Sequence, residues 1–247
     1  MQLAEISIRR PVFATVLSLL VLLIGAVSFT RLSVREYPKI DEPVVTVSVR
    51  YPGASAEVIE SHFADGSRWG ARITYARQEV QDGTGRAPGY AREFLGDSEF
   101  LLTYGDILVR PETYQRMRQR WIEGDFAGLI TVTEGEDVTK GGLNFFDDQF
   151  RLTRLVEKPS AAQLEELRAT GWLKPGQPAW YNAGIYLFRP SLFEFTSRLK
   201  KSPRGEYELT DALSDMLAAG LTLAGLKIEG RWVDVRDPAV LASLQSL

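Results

Sequence analysis

The 247-residue sequence contains no cysteine and a single histidine, His62. The first absence excludes disulfide frameworks and thiolate metal sites, although it says nothing of the redox compartment. The second makes a histidine-based metal centre or a Ser-His triad a poor expectation. A concentrated basic stripe is missing as well. The 29 Lys and Arg are spread thinly against 32 Asp and Glu, giving a formal net charge of -3, so no nucleic acid partner is expected. No internal repeat or low-complexity stretch occurs. Apolar residues, at 45%, are plentiful enough for a chain of this length to bury one large core or two smaller ones.

Their distribution is uneven. Residues 12–29, VFATVLSLLVLLIGAVSF, carry neither a charge nor a polar face. At ~1.5 Å rise per helical residue this run nearly crosses a hydrocarbon core of ~30 Å. Pro11 suits the first turn of such a helix, and Arg9 with Arg10 supplies a cytoplasmic-type flank. The expectation is one N-terminal transmembrane helix within residues 1–34, with the membrane as partner through residues 12–29 and an inner-membrane location. A cleaved signal, a twin-Arg export signal and a buried core helix fit less well. The run ends in SFTRLSVREYP without small cleavage residues, is too apolar for an export signal, and lacks a polar side. A polar hinge, REYPKIDEP, leads to PVVTVSVRY, where Val44, Val45, Val47 and Val49 predict a strand by β-branching and partial alternation. Tyr51-Pro52-Gly53 ends it, and residues 54–60 begin a helix with Ser55 as a candidate cap.

The order SIRRPVFA, apolar helix, EYP, strand, YPGAS over residues 1 to about 60 resembles the amino terminus of resistance-nodulation-division (RND) efflux transporters of the acriflavine-resistance type. The resemblance implies that the helix is the first of twelve and that residues 35–60 form the strand-turn-helix opening a periplasmic porter region. The proton-relay residues of such pumps lie on later helices without counterpart here, so no transport residue carries over.

From Ser61 onward strand-like and helix-like segments alternate, the pattern of an α/β domain. ARITYARQ, EFLLTY, AGLITVT and WYNAGIYLF are predicted strands. ELTDALSDMLAAG places Leu209, Ala212, Leu213, Met216 and Leu217 on one helical face, with Gly220 as the stop. Four groups carry candidate chemistry. Asp106, just past the strand EFLLTY, sits where open α/β sheets bind ligands and can hold Mg²⁺; a turn aspartate is the plain alternative. Asp234 in GRWVDVRDP is a second hard oxygen donor, and two distant aspartates meeting at one cation suit phosphoryl chemistry. Glu157 and Lys158 in RLTRLVEKP fit sugar hydroxyls and a phosphate, or an ordinary solvated pair before a proline-terminated strand. Gly83-Thr84-Gly85-Arg86 lacks the GK[ST] of a P-loop and reads equally as a glycine-rich turn.

In order, DGSRWGARITYARQEVQDGTGRA, FLLTYGDILV, LVEKPS, YNAGIYLFRP, RGEYELTDAL and GRWVDVRDP resemble the sugar-phosphate nucleotidyltransferases that include the glucose-1-phosphate thymidylyltransferases. The match runs through residues 61–247. It implies an α/β fold: a truncated Rossmann-like nucleotidyltransferase sheet with helices on both faces, here preceded by the transmembrane helix. It also implies Asp106 and Asp234 as catalytic magnesium ligands, with Mg²⁺ as cofactor. Gln78 and Gly83 would contact the nucleotide base, favouring a pyrimidine nucleoside triphosphate. Gly142, Glu157, Lys158, Asn182, Ala183 and Gly184 would line the sugar 1-phosphate site. The implied reaction is in-line attack of a sugar 1-phosphate on the α-phosphate, releasing pyrophosphate, in a family that is itself cytoplasmic.

The family's opening GGxGTRLxPxT loop, whose N–H groups cradle the triphosphate, and its following lysine do not occur in the 247 residues. The expectation is therefore a nucleotidyltransferase with its N-terminal catalytic loop missing and activity impaired. VVTVSVRYPGASAEVIESHF supplies the strand-turn-helix order that family members show before this point, so the transporter-like segment is expected to fill one βα unit beside the strand ending at Tyr104. The alternatives are a membrane fragment of an efflux transporter, or a composite of two unrelated genes with no evolved function as a unit. If Arg9 and Arg10 lie in the cytoplasm, the larger domain is placed away from nucleoside triphosphates; Arg31, Arg35 and Lys39 on the other flank weaken that orientation.

Overall fold

The computed structural model describes residues 56–235, the backbone of Thr46–Ser48, and Val12, Thr15, Val16 and residues 19–23 of the apolar run. Two units are distinguished, Met1–Asp41 and Glu42–Leu247. In the first, the described residues are helical, and each described valine and leucine is more than half exposed. Among the described residues no helix is long and apolar enough to cross a membrane. Much of the run 12–29, with the flanking basic residues and the candidate cap Ser55, lies outside the described residues.

In the second unit the chain runs β1 (Thr46–Ser48), α1 (Ala56–Phe63), α2 (Arg92–Leu95), β2 (Phe100–Tyr104), β3 (Ile107–Val109), α3 (Glu112–Ile122), β4 (Gly128–Thr133), β5 (Gly142–Phe146), β6 (Leu152–Glu157), α4 (Ala161–Ala169), β7 (Trp180–Phe188), α5 (Leu192–Thr196), α6 (Leu209–Ala218), β8 (Leu223–Lys227) and β9 (Trp232–Asp234). A seven-stranded sheet has the order β1-β2-β7-β4-β8, with the β5–β6 hairpin joined to β7; β3 and β9 form a separate two-stranded ribbon. The sheet is mixed. β1 and β2 are parallel, as are β4 and β8, whereas β7 is antiparallel to β2, β4 and β5.

Side-chain alternation explains how helices cover both faces. Phe100, Leu102, Ile130, Val132, Tyr186 and Phe188 point to a core closed by α5 and by the Leu209, Ala212, Leu213 and Met216 face of α6. Their neighbours Leu101, Leu129, Ile185 and Leu187 point the other way, against Met117 of α3. The strand β4, GLITVT, is buried over its first five residues because it is covered on both sides. A third cluster joins Leu143 and Phe145 to Leu164 and Leu167 of α4, a helix started by the Ser160/Gln163 capping box. α6 ends as its composition predicts, with Gly220 at φ 81 donating to Leu217 O.

The transporter-like strand does join this sheet. β1 pairs with β2 through Thr46↔Leu102, Val47↔Thr103 and Ser48↔Tyr104, and α1 follows it. One predicted strand is absent: ARITYARQ forms no ladder. Most of its side chains are exposed, so it has no apolar face to seat in a sheet, and its neighbourhood is organised by turns such as Ile73 N–H to Asp65 O at 2.9 Å.

Candidate active site

Asp106 and Asp234, 128 positions apart in sequence, are neighbours in space. Gly105-Asp106 turns the chain from β2 into β3, β3 pairs antiparallel with β9, and Asp234 stands opposite Ile107. Val235 N–H donates to the Asp106 carbonyl at 2.8 Å. Both aspartates are half-buried at the carboxyl end of β2, where such sheets place ligands. The backbones of these two residues meet, and their carboxylates are hard, anionic oxygen donors of the kind that suits Mg²⁺.

The Asn182-Ala183-Gly184 turn is a bulge in β7. Ile130 pairs with Tyr186 and Val132 with Asn182, so Ala183, Gly184 and Ile185 lie opposite the single residue Thr131. Three side chains hold the extra length. Thr131 Oγ1 donates to Ile185 O at 2.7 Å, Asn182 Oδ1 accepts from Gly184 N–H at 3.3 Å, and the Trp232 indole donates to Ala183 O at 2.9 Å. The last bond ties the bulge to β9 and so to Asp234. Gly184 has φ 78, and a Cβ there would fall 2.7 Å from the Tyr104 ring and 3.3 Å from Ile107, so no side chain fits between bulge and aspartate turn.

Gly142 starts β5 opposite Glu157, the end of β6. A Cβ on Gly142 would lie 3.2 Å from both Glu157 Oε2 and Asn182 Cβ, which places the three residues around one point. Lys158 turns away from the strand at φ 44, a conformation disfavoured for its type, and its Nζ lies 3.9 Å from Glu157 Oε1. Burial pushes the Glu157 carboxyl above the usual glutamate range, opposed by the Lys158 charge and reinforced by Glu208. Thr210 and Arg204 also act on it, both favouring the charged form.

Gln78 and Gly83 are brought together by the turn between them: Gln78 Nε2 donates to Asp82 Oδ1 at 3.2 Å and to Gly83 O at 3.3 Å. This turn docks on the start of α6. Tyr207 N–H donates to Asp82 O and Gly85 N–H to Tyr207 O, each at 2.7 Å, and Leu209 N–H reaches Thr84 Oγ1 at 3.4 Å. A Cβ on Gly83, at φ 121, would strike Tyr207 O at 2.3 Å. Glycine is therefore required by a close backbone approach, and the turn runs into a short 3-10 segment, Ala87–Ala91, with no phosphate-loop helix.

All ten predicted residues thus surround the carboxyl end of β2. Tyr104 connects them: burial raises the pKa of its phenol, which lies beside the hydroxyls of Tyr186 and Thr84, between the Gln78–Gly83 turn and Glu157. Sequence reasoning missed Arg204 and Glu208. Glu208 is 5% exposed and accepts from Arg204 at 2.9 and 3.3 Å and from Ser202 at 3.3 Å. RGEYELTDAL belongs to the ordered series of family motifs, and its one signal of a site role is an Arg and a Glu four residues apart straddling a helix start.

The model of the nucleotidyl transferase family matches residues 36–245, and that of the AcrB/AcrD/AcrF family matches residues 3–66. The chain is 32% identical over 182 residues to the low-salt glycan biosynthesis nucleotidyltransferase Agl11 of Haloferax volcanii, covering 74% of this chain and 47% of that one. It is 28% identical over 187 residues to the UTP–glucose-1-phosphate uridylyltransferase AglF of the same organism, covering 75% and 70%. A crystal structure of a Bacillus anthracis protein described as a glucose-1-phosphate thymidylyltransferase, in complex with sucrose, shares the fold with a TM-score of 0.63 at 20% identity, over 82% of this chain and 74% of the other. The chain spans about half the length of Agl11. With a family match over most of its length and the sheet to go with it, the chain belongs to the nucleotidyl transferase family.

Proposed function

We propose that the second unit is built to transfer a nucleotidyl group from a nucleoside triphosphate to a sugar 1-phosphate, with release of pyrophosphate. The observation that carries this reading is the β3–β9 pairing, which sets Asp106 beside Asp234 and, through Trp232 and Tyr104, beside the Asn182, Gly142 and Glu157 cluster. Asp106 and Asp234 would hold Mg²⁺, which supplies charge neutralisation to the phosphates when bound. Glu157 and the Asn182 to Gly184 bulge accept sugar hydroxyls, and Lys158 and Arg204 offer cationic partners to the sugar phosphate. The Gln78 amide and Gly83 backbone form the base edge, and the family resemblance favours a pyrimidine there.

Because no GGxGTR-type loop stands among the 247 residues, the triphosphate has one cradle fewer, and turnover is expected to be undetectable while nucleotide binding is weak. Pyrophosphate release assayed with UTP, dTTP or CTP, glucose 1-phosphate and Mg²⁺ tests this. Robust release abolished by Asp106→Ala would mean that residues 1–60 replace the loop. The AcrB/AcrD/AcrF match and the exposed helical valines and leucines support a second role for residues 12–29, insertion in a membrane. Release of the chain from membranes by alkaline carbonate would count against it.

A further inference from the structure

A cavity of about 400 Å³ lies between the β5–β6 hairpin and the segment 171–180, and none of the ten substrate-site residues lines it. Its origin is a split in the sheet. β5 pairs with β7 at Leu143↔Tyr181 and Asn144↔Trp180, and the ladder ends there. Asn144 stands at the split, 1% exposed. Its Nδ2 donates to Gly142 O at 3.2 Å and Trp180 O at 3.3 Å. Both partners accept only, so the amide orientation is fixed, and the buried Oδ1 is left without a donor. The walls are aromatic. Phe150 holds φ 55, rare for a bulky residue, with its ring stacked on Phe146 at 4.3 Å and edge-on to Trp180 at 5.4 Å. Trp172, 40% exposed, meets Phe145 edge-on at 5.3 Å.

The charges around the cavity select against an ion. Asp147 is committed to Arg151 at 2.7 and 2.8 Å, leaving Asp148 and Lys174 to offset one another. Arg154 lies 5.1 Å over the Trp172 ring and Lys227 5.4 Å over Trp180, so a further cation on those rings is repelled. A phosphate would meet Asp148 with only Lys174 in support. What suits the cavity is a neutral ring with an apolar face for the indoles and hydroxyl groups for the exposed Gln177 amide at its rim. The volume accommodates one or two such rings. We propose that this cavity is a second carbohydrate site, taking an unphosphorylated sugar residue. The proposal stands apart from nucleotidyl transfer.

Saturation-transfer NMR on the full chain, held in a detergent without a sugar headgroup, tests it with methyl α-D-glucopyranoside and maltose as probes. Caffeine and inorganic phosphate serve as planar and anionic controls. The expected result is saturable saccharide binding in the millimolar range, weakened about tenfold by Trp172→Ala and by Gln177→Ala and unchanged by Asp106→Asn. Both cavity variants lie on an exposed segment, and thermal melts verify that they fold. No saturation, equal binding in both cavity variants, preference for caffeine or phosphate, or loss of saccharide binding in Asp106→Asn would each overturn the proposal.

Discussion

Glu157 shows how a residue chosen for chemistry costs stability. Burial holds its folded-state pKa above the ordinary glutamate value of 4.5. The folded protein therefore binds that proton more tightly than the unfolded chain. The contribution is fully present below pH 4.5 and is lost as pH rises through the raised value. Glu157→Gln removes the loss, so thermal melts should show the variant more stable than the parent at pH 8 and no more stable at pH 4. Sugar 1-phosphate binding should weaken in the same variant, because the amide is a poorer acceptor than the carboxylate. Gly184 is constrained by space and backbone together. Gly184→Ala places a methyl 2.7 Å from the Tyr104 ring at φ 78, and chemical denaturation should report a loss of about 1–3 kcal/mol.

Among the elements, the β7 bulge separates what composition reveals from what it hides. WYNAGIYLF reads as a continuous strand, and β2, β4 and α6 are equally legible, because long apolar segments carry their own period. The bulge depends on Thr131 and Trp232, about fifty residues away on either side, and no local pattern encodes such partners. Thr131→Val, which keeps the shape and deletes the donor, should lower stability by about 1 kcal/mol in denaturant titrations and loosen sugar-phosphate binding as the bulge relaxes. β3 and β9, three residues each, are too short to show alternation, so the sequence offers Asp106 and Asp234 as separate candidate donors, and only the family resemblance assigns them to one site. The β1–α1 unit was anticipated from its strand-turn-helix order, whereas ARITYARQ has strand composition without a buried face. Removing residues 1–60 uncovers the β1 side of β2. That variant should melt lower than the full chain and aggregate through the exposed edge, as size-exclusion chromatography would reveal.

At the scale of the whole molecule, the two family matches overlap over residues 36–66, the stretch that contains β1 and α1. A segment that resembles a transporter strand and helix thus occupies a position in a nucleotidyl transferase sheet. A parallel edge strand needs little more than β-branched residues in the right direction, which is why PVVTVSVRY serves. Everything functional then depends on whether Asp106 and Asp234 act together on one cation beside the sugar-phosphate cluster. Calorimetric titration of the chain with UTP and with dTTP, with and without Mg²⁺, addresses this most directly. Weak binding that requires Mg²⁺ and falls at least about tenfold in both Asp106→Ala and Asp234→Ala is the predicted result. Nucleotide affinity that is the same without the metal, or unchanged in both variants, would contradict it.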